Sequence, residues 1–384
     1  MQRRKIKYSQ TAENTPSTKR IDGIFLWLFF VLLFIPMLNI SVSDISQNEN
    51  RALAKYPTLY TDGHLNQNYT YQFDKWFSDH FGSRQILIGL YSKLKYKIDP
   101  IEQNPQVLFG DDDWLFYTAD NSLDNFQNKT LFRYDELESA SKYLSDIQQW
   151  ATKNNKAFYY LIAPDKNKIY GEHITSLKKI RPDEESRANQ LVKYLRANTA
   201  INVIYPYTTL LNNKEKGLLY YKHDSHWNAL GAYFVYREII ENIQKDFKQI
   251  NPVTPYKIKP VFHETGDLSK LLNYAIPKDT QQYLEPVIED HSVCSYNSIT
   301  RNEDKGMKCR NKSKTLRVAV FHDSFTSALK KYYNNTFETV KYEWRWHIIP
   351  EDLEYIKENA DIIILETAER YIFSLLSLKF PENE

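Results

Sequence analysis

The sequence predicts an α/β fold with a mainly parallel sheet, because strand-like and helix-like segments alternate from about residue 134 onwards. Apolar residues recur at helical spacing over residues 137–151, and a strand-like apolar run follows at residues 157–163. Two further strand-like runs lie at residues 316–321 and 361–365, and helix-like segments separate the successive strand-like runs. Strands that alternate with helices are typical of sheets whose parallel strands are joined by helical crossovers.

The other predicted elements follow the same alternation. Helices are predicted at residues 184–197, 325–333 and 351–359, and strands at residues 202–205 and 340–347. Another helix begins at the DSHWN segment (224–228), and its apolar face comprises Tyr233, Tyr236, Ile240, Ile243 and Phe247. A long polar segment, residues 250–314, interrupts the alternation.

The region before this alternation has a different character. Residues 41–130 are predicted to form an irregular lead-in that packs on a catalytic domain at residues 131–384. Within the lead-in, VLFGDDDWLFY (107–117) predicts a hairpin of two short apolar strands joined at a Gly-Asp turn.

Charge is nearly balanced, with 50 Lys and Arg against 48 Asp and Glu, so no broad electrostatic field indicates a nucleic-acid partner. The N-terminus is the exception, because basic residues precede an uncharged apolar run at residues 23–40. About 20 apolar residues cross a bilayer, which predicts a transmembrane anchor at 23–40 and a cytoplasmic tail at 1–22. A cleaved signal peptide is the alternative, but no A-x-A pattern follows the run.

Two cysteines, Cys294 and Cys309, lie in the polar segment. In an exported domain such a pair is predicted to form a disulfide, worth about 3 kcal/mol for a loop of this length. Neither has a His or a second Cys at metal-binding spacing, so a zinc site is not predicted.

The first candidate for chemistry is the segment HDSF, at the end of the strand predicted over residues 316–321. In a parallel sheet, functional groups collect beyond the carboxyl ends of the strands. Ser324 would present its hydroxyl there, beside Asp323 and next to backbone N–H groups at a helix start. The alternative is structural, since Ser or Asp before a helix is ordinary capping.

The second candidate is DSHWN, which contains Asp224, His226, Trp227 and Asn228. A serine hydroxyl needs a base to accept its proton, and that base needs a carboxylate to fix its tautomer. Two alternatives are a metal site, with His223 as a further ligand, and a structural histidine packed beside Trp227.

The third candidate follows the strand predicted over residues 361–365. Glu366, Glu369 and Arg370 would form either a structural ion pair or, near the mouth of the site, a group that positions substrate. Each segment is a weak signal alone. Together they place a nucleophile, a base and an orienting acid at strand ends of one sheet.

In its motifs and their order, the chain resembles the alginate O-acetyltransferase group, the AlgJ- and AlgX-like proteins and the related DHHW proteins. The motifs are ENR at 49–51, DHFGSR at 79–84, WLFY at 114–117, APDK at 163–166, DSHW at 224–227, GDL at 266–268, HDSF at 322–325 and ER at 369–370. The resemblance implies a three-layer sandwich like that of SGNH hydrolases. It also implies that Asp224 and His226 act on the nucleophile Ser324. His322 departs from the family pattern, which has glycine there.

The resemblance further implies an O-acetyltransferase that forms an acetyl-serine and passes the acetyl group to an exported or cell-envelope polysaccharide. No cofactor or metal is implied. The acetyl group would come from a membrane-bound acyltransferase of the MBOAT type, with the catalytic domain periplasmic at the inner membrane. Roles in binding substrate or the oxyanion are expected for Trp227, Asn228, Asp323, Glu366 and Arg370. The alternatives are a carbohydrate acetyl esterase and a non-catalytic polysaccharide-binding assembly protein.

Overall fold

A computed structural model describes residues 16–34, 45–46, 51–61, 63–82, 84–98, 104–175, 185–295 and 306–381. The chain divides into two compact units, Met1–Leu94 and Lys95–Glu384. Most of the predicted cytoplasmic tail, residues 1–15, lies outside the described residues, as do Glu49, Asn50 and Ser83 of the quoted motifs.

The first unit contains short elements. Its helices and strands are α1 (Pro16–Phe34), β1 (Ile45–Ser46), β2 (Arg51–Ala52), β3 (Tyr60–Thr61), β4 (His64–Leu65), α2 (Tyr69–His80) and most of α3 (Arg84–Ile98). The strands pair as two antiparallel ribbons, β1 with β2 and β3 with β4. Aromatic packing fixes α2, because Trp76 contacts both Tyr56 and Phe73 at ring-centroid distances of 4.8 and 5.6 Å.

The structure does not support the transmembrane helix predicted at residues 23–40. Helix α1 begins at Pro16, so its first turns carry Lys19, Arg20 and Asp22, and its uncharged part is limited to residues 23–34. Residues 35–40 lie outside the described residues. In the described part of the chain, no helix combines the length and the apolar character needed to cross a bilayer.

The second unit contains a seven-stranded mixed sheet. The described strands of the whole unit, including the separate ribbons β5–β6 and β9–β10, are β5 (Val107–Phe109), β6 (Leu115–Tyr117), β7 (Ala157–Ala163), β8 (Asn202–Ile204), β9 (Lys257–Phe262), β10 (Gln282–Val287), β11 (Val293–Ser295), β12 (Met307–Arg310), β13 (Arg317–Phe321), β14 (Thr339–Glu343) and β15 (Ile362–Ala368). The sheet order is β11-β12-β14-β13-β15-β7-β8. The strands from β14 to β8 pair in parallel, whereas β11 and β12 are antiparallel additions at one edge. The predicted mainly parallel α/β fold is therefore confirmed.

Helices cover both faces of the sheet. They are α4 (Ser122–Phe126), α5 (Tyr134–Lys153), α6 (Lys166–Ile169), α7 (Arg187–Asn198), α8 (Tyr207–Asn213), α9 (Ala229–Asp246), α10 (Asp267–Leu271), α11 (Lys330–Thr336) and α12 (Pro350–Asn359). Successive side chains of a strand point to opposite faces. Accordingly Phe158, Tyr160 and Ile162 of β7 pack with α5, α7 and α12, while Tyr159 and Leu161 pack with α9 and α11. Each fully buried aliphatic side chain stabilises the fold by about 1.5–3 kcal/mol, which holds the three layers together.

Some boundaries differ from the prediction. Strand β14 ends at Glu343, not at residue 347, because the Arg345 N–H bonds back to the Glu343 carbonyl at 2.8 Å and turns the chain. Strand β15 continues to Ala368, so Glu366 lies inside it. The predicted helix 325–333 divides into a 3₁₀ helix, Ser324–Ala328, and α11. The polar segment contains the β9–β10 ribbon and both antiparallel edge strands, which are too short or too polar to stand out in the sequence.

Candidate active site

Ser324 lies at the carboxyl edge of the sheet, where β13 turns into the 3₁₀ helix. Asp323, not Ser324, caps this helix, since its Oδ1 accepts the Phe325 N–H at 3.0 Å. The other carboxylate oxygen accepts the Ala368 N–H at 2.8 Å and fastens the turn to β15. Because Asp323 performs the capping, the Ser324 hydroxyl is free for another partner.

That partner is His226. The Ser324 Oγ lies 2.6 Å from His226 Nε2, and His226 Nδ1 lies 2.6 Å from Asp224 Oδ1. A carboxylate can only accept, so Nδ1 carries the proton and Nε2 accepts from the serine hydroxyl. The structure thus brings the three predicted side chains into one continuous hydrogen-bonded chain.

A short loop presents the acid and the base together. It spans residues 220–227, is closed by a bridge between Tyr220 and Trp227, and is here called the acid loop. The backbone N–H of His226 also donates to Asp224 Oδ1, at 3.0 Å. This bond orients the carboxylate within the loop. Asn228 follows the acid loop and caps α9 with its side-chain oxygen.

Asp224 and His226 each stabilise the charged form of the other. Burial alone would raise the pKa of Asp224, but the charge of His226 and hydrogen bonds from His226 and His263 hold it well below its ordinary value. Burial alone would lower the pKa of His226, but the Asp224 charge and hydrogen bond outweigh it and raise the pKa above 6.5. A base of this strength is suited to accept a proton near neutral pH.

Three residues beside Asp224 and His226 were not predicted from the sequence to contact this pair. The second Asp224 oxygen accepts the Asp267 N–H at 3.0 Å and lies 3.5 Å from His263 Nε2. The Asp267 carboxylate accepts both the N–H and the hydroxyl of Ser225, at 2.7 and 2.5 Å, and lies 3.5 Å from His226 Nδ1. The GDL motif was a signal for Asp267, but nothing in the pattern linked it to Asp224.

The metal alternative has some support in atom positions but not in bonding. Within the described ranges, Asp224, His226 and Asp267 are the set of three His, Cys, Asp or Glu side chains close enough to share an ion. Both ring nitrogens of His226 already contact Asp224 and Ser324, so neither is free to bind a metal in this arrangement. His223, the other suggested ligand, instead places Nε2 3.0 Å from the Asp113 carbonyl.

Trp227 and Asn228 are engaged within the fold. The Trp227 indole donates to the Phe325 carbonyl at 2.9 Å and packs edge-on against that ring, which ties the acid loop to the serine turn. The Asn228 side chain accepts from Leu230 and Gly231 and donates to the carbonyl of residue 218. Both side chains are therefore occupied by contacts within the fold, and the substrate or oxyanion roles expected of them stay predictions.

Glu366 was predicted near the mouth of the site but is fully buried beneath the serine turn. Its Oε2 accepts the Asp323 N–H and the Thr326 hydroxyl, each at 3.1 Å. Burial and the Asp323 charge raise the pKa of Glu366 well above its ordinary range. Asp323 and Glu366 thus hold the turn that carries Ser324 through hydrogen bonds within the fold.

Arg370 is also buried, and its ion-pair partner is Asp165 at 2.5 Å. Its guanidinium lies 5.3 Å from the centre of the Phe325 ring and 5.0 Å from that of Tyr371. The Arg370 charge acts against the rise in the pKa of His226 that Asp224 causes, but does not outweigh it. The structural ion pair considered from the sequence therefore exists, with a partner from the end of β7.

The chain matches known proteins over the region that contains the acid loop. A profile of the family described as "SGNH hydrolase-like domain, acetyltransferase AlgX" matches residues 107–307, a range that includes Asp224 and His226 and stops before Ser324. No curated protein has a significantly similar sequence.

Solved structures resemble the fold at low sequence identity. PatB1 of Bacillus cereus is 17% identical with a TM-score of 0.51, and the match covers 69% of this chain and 96% of PatB1. A DHHW family protein from Eubacterium siraeum is 13% identical with a TM-score of 0.50, covering 72% and 99% of the two chains. The O-acetyltransferase domain of Pseudomonas putida AlgJ is 16% identical with a TM-score of 0.46, covering 73% and 95%. The first two matches support a shared fold.

Proposed function

Because this chain belongs to the AlgX family of SGNH-hydrolase-like acetyltransferase domains, we propose that it is an O-acetyltransferase in which Ser324 carries the acetyl group. The proposed acceptor is a hydroxyl of an exported or cell-envelope polysaccharide. The observation that carries the proposal is the chain of two 2.6 Å contacts from Ser324 through His226 to Asp224.

The proposed reaction has two steps. In the first, His226 Nε2 takes the Ser324 proton while Oγ attacks the donor's acetyl carbonyl, and the donor's leaving group departs with that proton. In the second, His226 takes the proton of a sugar hydroxyl, whose oxygen attacks the acetyl-serine. The new ester leaves, and the proton returns to Ser324. Asp224 stabilises the imidazolium that forms in both steps.

A location outside the cytoplasm at the inner membrane is part of this proposal. Cys294 and Cys309 lie opposite each other on β11 and β12 and form a disulfide, which is typical of oxidising compartments. Acetyl-CoA is not supplied in such a compartment, so the acetyl group would come from a membrane-bound acyltransferase of the MBOAT type. That enzyme and the polysaccharide are the proposed partners.

The test uses the purified chain, an activated acetyl ester as donor and an oligosaccharide as acceptor. We expect Ser324→Ala and His226→Ala to abolish acetyl transfer while leaving the circular dichroism spectrum unchanged. Ser327→Ala is the matched control, because Ser327 is an exposed serine of the same 3₁₀ helix and should retain full activity.

Two outcomes would change the assignment. Full transfer by the Ser324→Ala variant would refute a serine-borne acetyl group. Rapid ester hydrolysis that added oligosaccharide never diverts would instead identify the domain as an esterase that uses the same residues with water as acceptor.

A further inference from the structure

Lys166 is a buried cation at the end of β7 that the proposed reaction does not use. It is 2% exposed and begins α6, three residues after the strand ends. Its ammonium lies over the rings of Trp114 and Phe116, 5.5 and 5.2 Å from their centres. A buried ammonium is costly unless its donors are satisfied, so its partners indicate why it is there.

The partners are backbone carbonyls of the acid loop. Lys166 Nζ donates to the carbonyl oxygens of Tyr221, Lys222 and Asp224 at 3.1, 3.0 and 2.6 Å. The shortest of these contacts is to the residue that supplies the carboxylate for His226. One side chain from the start of α6 therefore fixes the backbone that presents the acid.

The geometry requires the charged form of the amine. An ammonium has three hydrogens, which matches the three carbonyls, whereas a neutral amine has two and would leave one carbonyl without a donor. An apolar side chain of similar length would fill the same space beside Trp114 and Phe116 but would leave all three carbonyls unpaired.

We propose that Lys166 is a positioning residue for acetyl transfer, whose ammonium holds the acid loop so that Asp224 meets His226. The inference rests on the proposed function, because the loop matters to chemistry only if His226 acts as the base for Ser324. Lys166 itself contacts no reacting atom.

The surrounding charges determine the pH at which this support is lost. Burial lowers the pKa of Lys166 to about 7, while Asp267, Asp224 and Asp279 act in the opposite direction. Two further titratable groups of the acid loop, Lys222 and His223, lie beside its carbonyl partners. The ammonium is therefore half lost at about pH 7, is fully present only well below that value, and disappears as pH rises above it.

This gives the reaction a second pH limb. The rate rises with pH as His226 loses its proton, because its pKa is raised above 6.5. It falls again as Lys166 loses its own proton. Plotted against pH, the rate of serine modification should therefore give a narrow bell-shaped curve. Deprotonation of His226 produces its acid limb, and deprotonation of Lys166 produces its alkaline limb.

The test measures how fast a fluorophosphonate probe labels Ser324 in the full chain as a function of pH. We expect Lys166→Met to slow labelling about 10²-fold, the size of effect expected when a reacting group is displaced by about 1 Å. The variant should also lose the alkaline limb and keep the acid limb. Lys214→Met is the matched control, because Lys214 also donates to a carbonyl, that of Ile169 at 2.7 Å, and lies over an aromatic ring.

Chemical rescue separates the charge from simple packing. Within the described residues both native cysteines are in the disulfide, so a Lys166→Cys variant carries one free thiol. Alkylation of that thiol with bromoethylamine under non-reducing, denaturing conditions, followed by refolding, restores an ammonium at nearly the original length. We expect labelling to recover, with the alkaline limb at lower pH, because the thioether weakens the base.

The outcomes distinguish this inference from the proposed function. Labelling of the Lys166→Met variant at the native rate with an unchanged alkaline limb would overturn the role of Lys166 alone. A refolded, alkylated Lys166→Cys variant whose Ser324 still labels slowly would also overturn the role of Lys166 alone. If His226→Ala labels as fast as the native chain, the proposed function fails, and the role of Lys166 fails with it.

Discussion

The buried ion pair between Arg370 and Asp165 allows a quantitative test of what holds the site in place. The side chains are 6% and 3% exposed, and they join the end of β15 to the end of β7. Replacing Arg370 with Met keeps most of the volume but leaves the Asp165 carboxyl buried without its cation. Removing one partner of a buried pair costs about 3–5 kcal/mol.

For a unit of this size, such a loss lowers the melting temperature by about 6–20 °C at neutral pH. The deficit should shrink on acidification, because burial already raises the pKa of Asp165 and removal of Arg370 raises it further. The carboxyl then becomes neutral as pH falls, and a neutral group costs less to bury. Thermal melts of Arg370→Met at pH 7 and pH 5 measure both effects.

Two comparisons make the test decisive. Arg370→Met combined with Asp165→Asn should regain stability relative to Arg370→Met alone, since no unpaired charge remains. Arg310→Met, which breaks an exposed pair with Glu338, should cost less than about 1 kcal/mol. A melting temperature for Arg370→Met equal to that of Arg310→Met, or strictly additive losses in the double variant, would refute the reasoning.

Three further predictions concern the acid, its neighbouring glycine and the disulfide. Asp224→Asn should lower activity by about 10⁴-fold and move the acid limb of the pH profile to lower pH, because Asp224 is what raises the pKa of His226. Measured pH–rate profiles check this, and an acid limb at the native pH would contradict the pairing of Asp224 with His226. Gly266→Ala should slow serine labelling about 10²-fold, because a Cβ there would lie 2.4 Å from the Cβ of Asp224 and push the acid loop away; a labelling rate equal to that of the native chain would show that the loop tolerates the shift. Replacing Cys294 and Cys309 with Ser should lower the free energy of unfolding by about 3 kcal/mol and leave the labelling rate unchanged, as denaturant titration and labelling together can show; slower labelling would mean that the edge strands support the site.

Strong local patterns made part of the molecule predictable. The bounds of β7 were predicted correctly, because an unbroken apolar run is what a strand buried on both faces requires. Ser324 follows β13, as its predicted position at a strand end requires, whereas Asp224 and His226 lie on the acid loop, which follows α8 and a 3₁₀ turn and not a strand of the sheet. The sequence suggested these two because a serine hydroxyl needs a base, and that base needs a carboxylate.

Other features depend on contacts between distant segments. His263 and Asp267 come from a polar stretch without periodicity, and only the folded chain brings them to Asp224. Glu366 was misplaced because a glutamate normally ends a buried strand. Here the side chain is fully buried and accepts hydrogen bonds beneath the serine turn, so the strand continues through it. Lys166 lay in a quoted motif, but its partners are backbone atoms, which no side-chain pattern reveals.

The position of β15 in the sheet sets the order in which the site can form. It is the last strand of the described sheet along the chain, yet it lies between β13, which leads to Ser324, and β7, which leads to Lys166. During synthesis, the two halves of the site have no shared sheet until residues 362–368 have emerged. The turn that carries Ser324 and the segment that carries Lys166 are therefore joined through one sheet only once β15 has taken its place between β13 and β7.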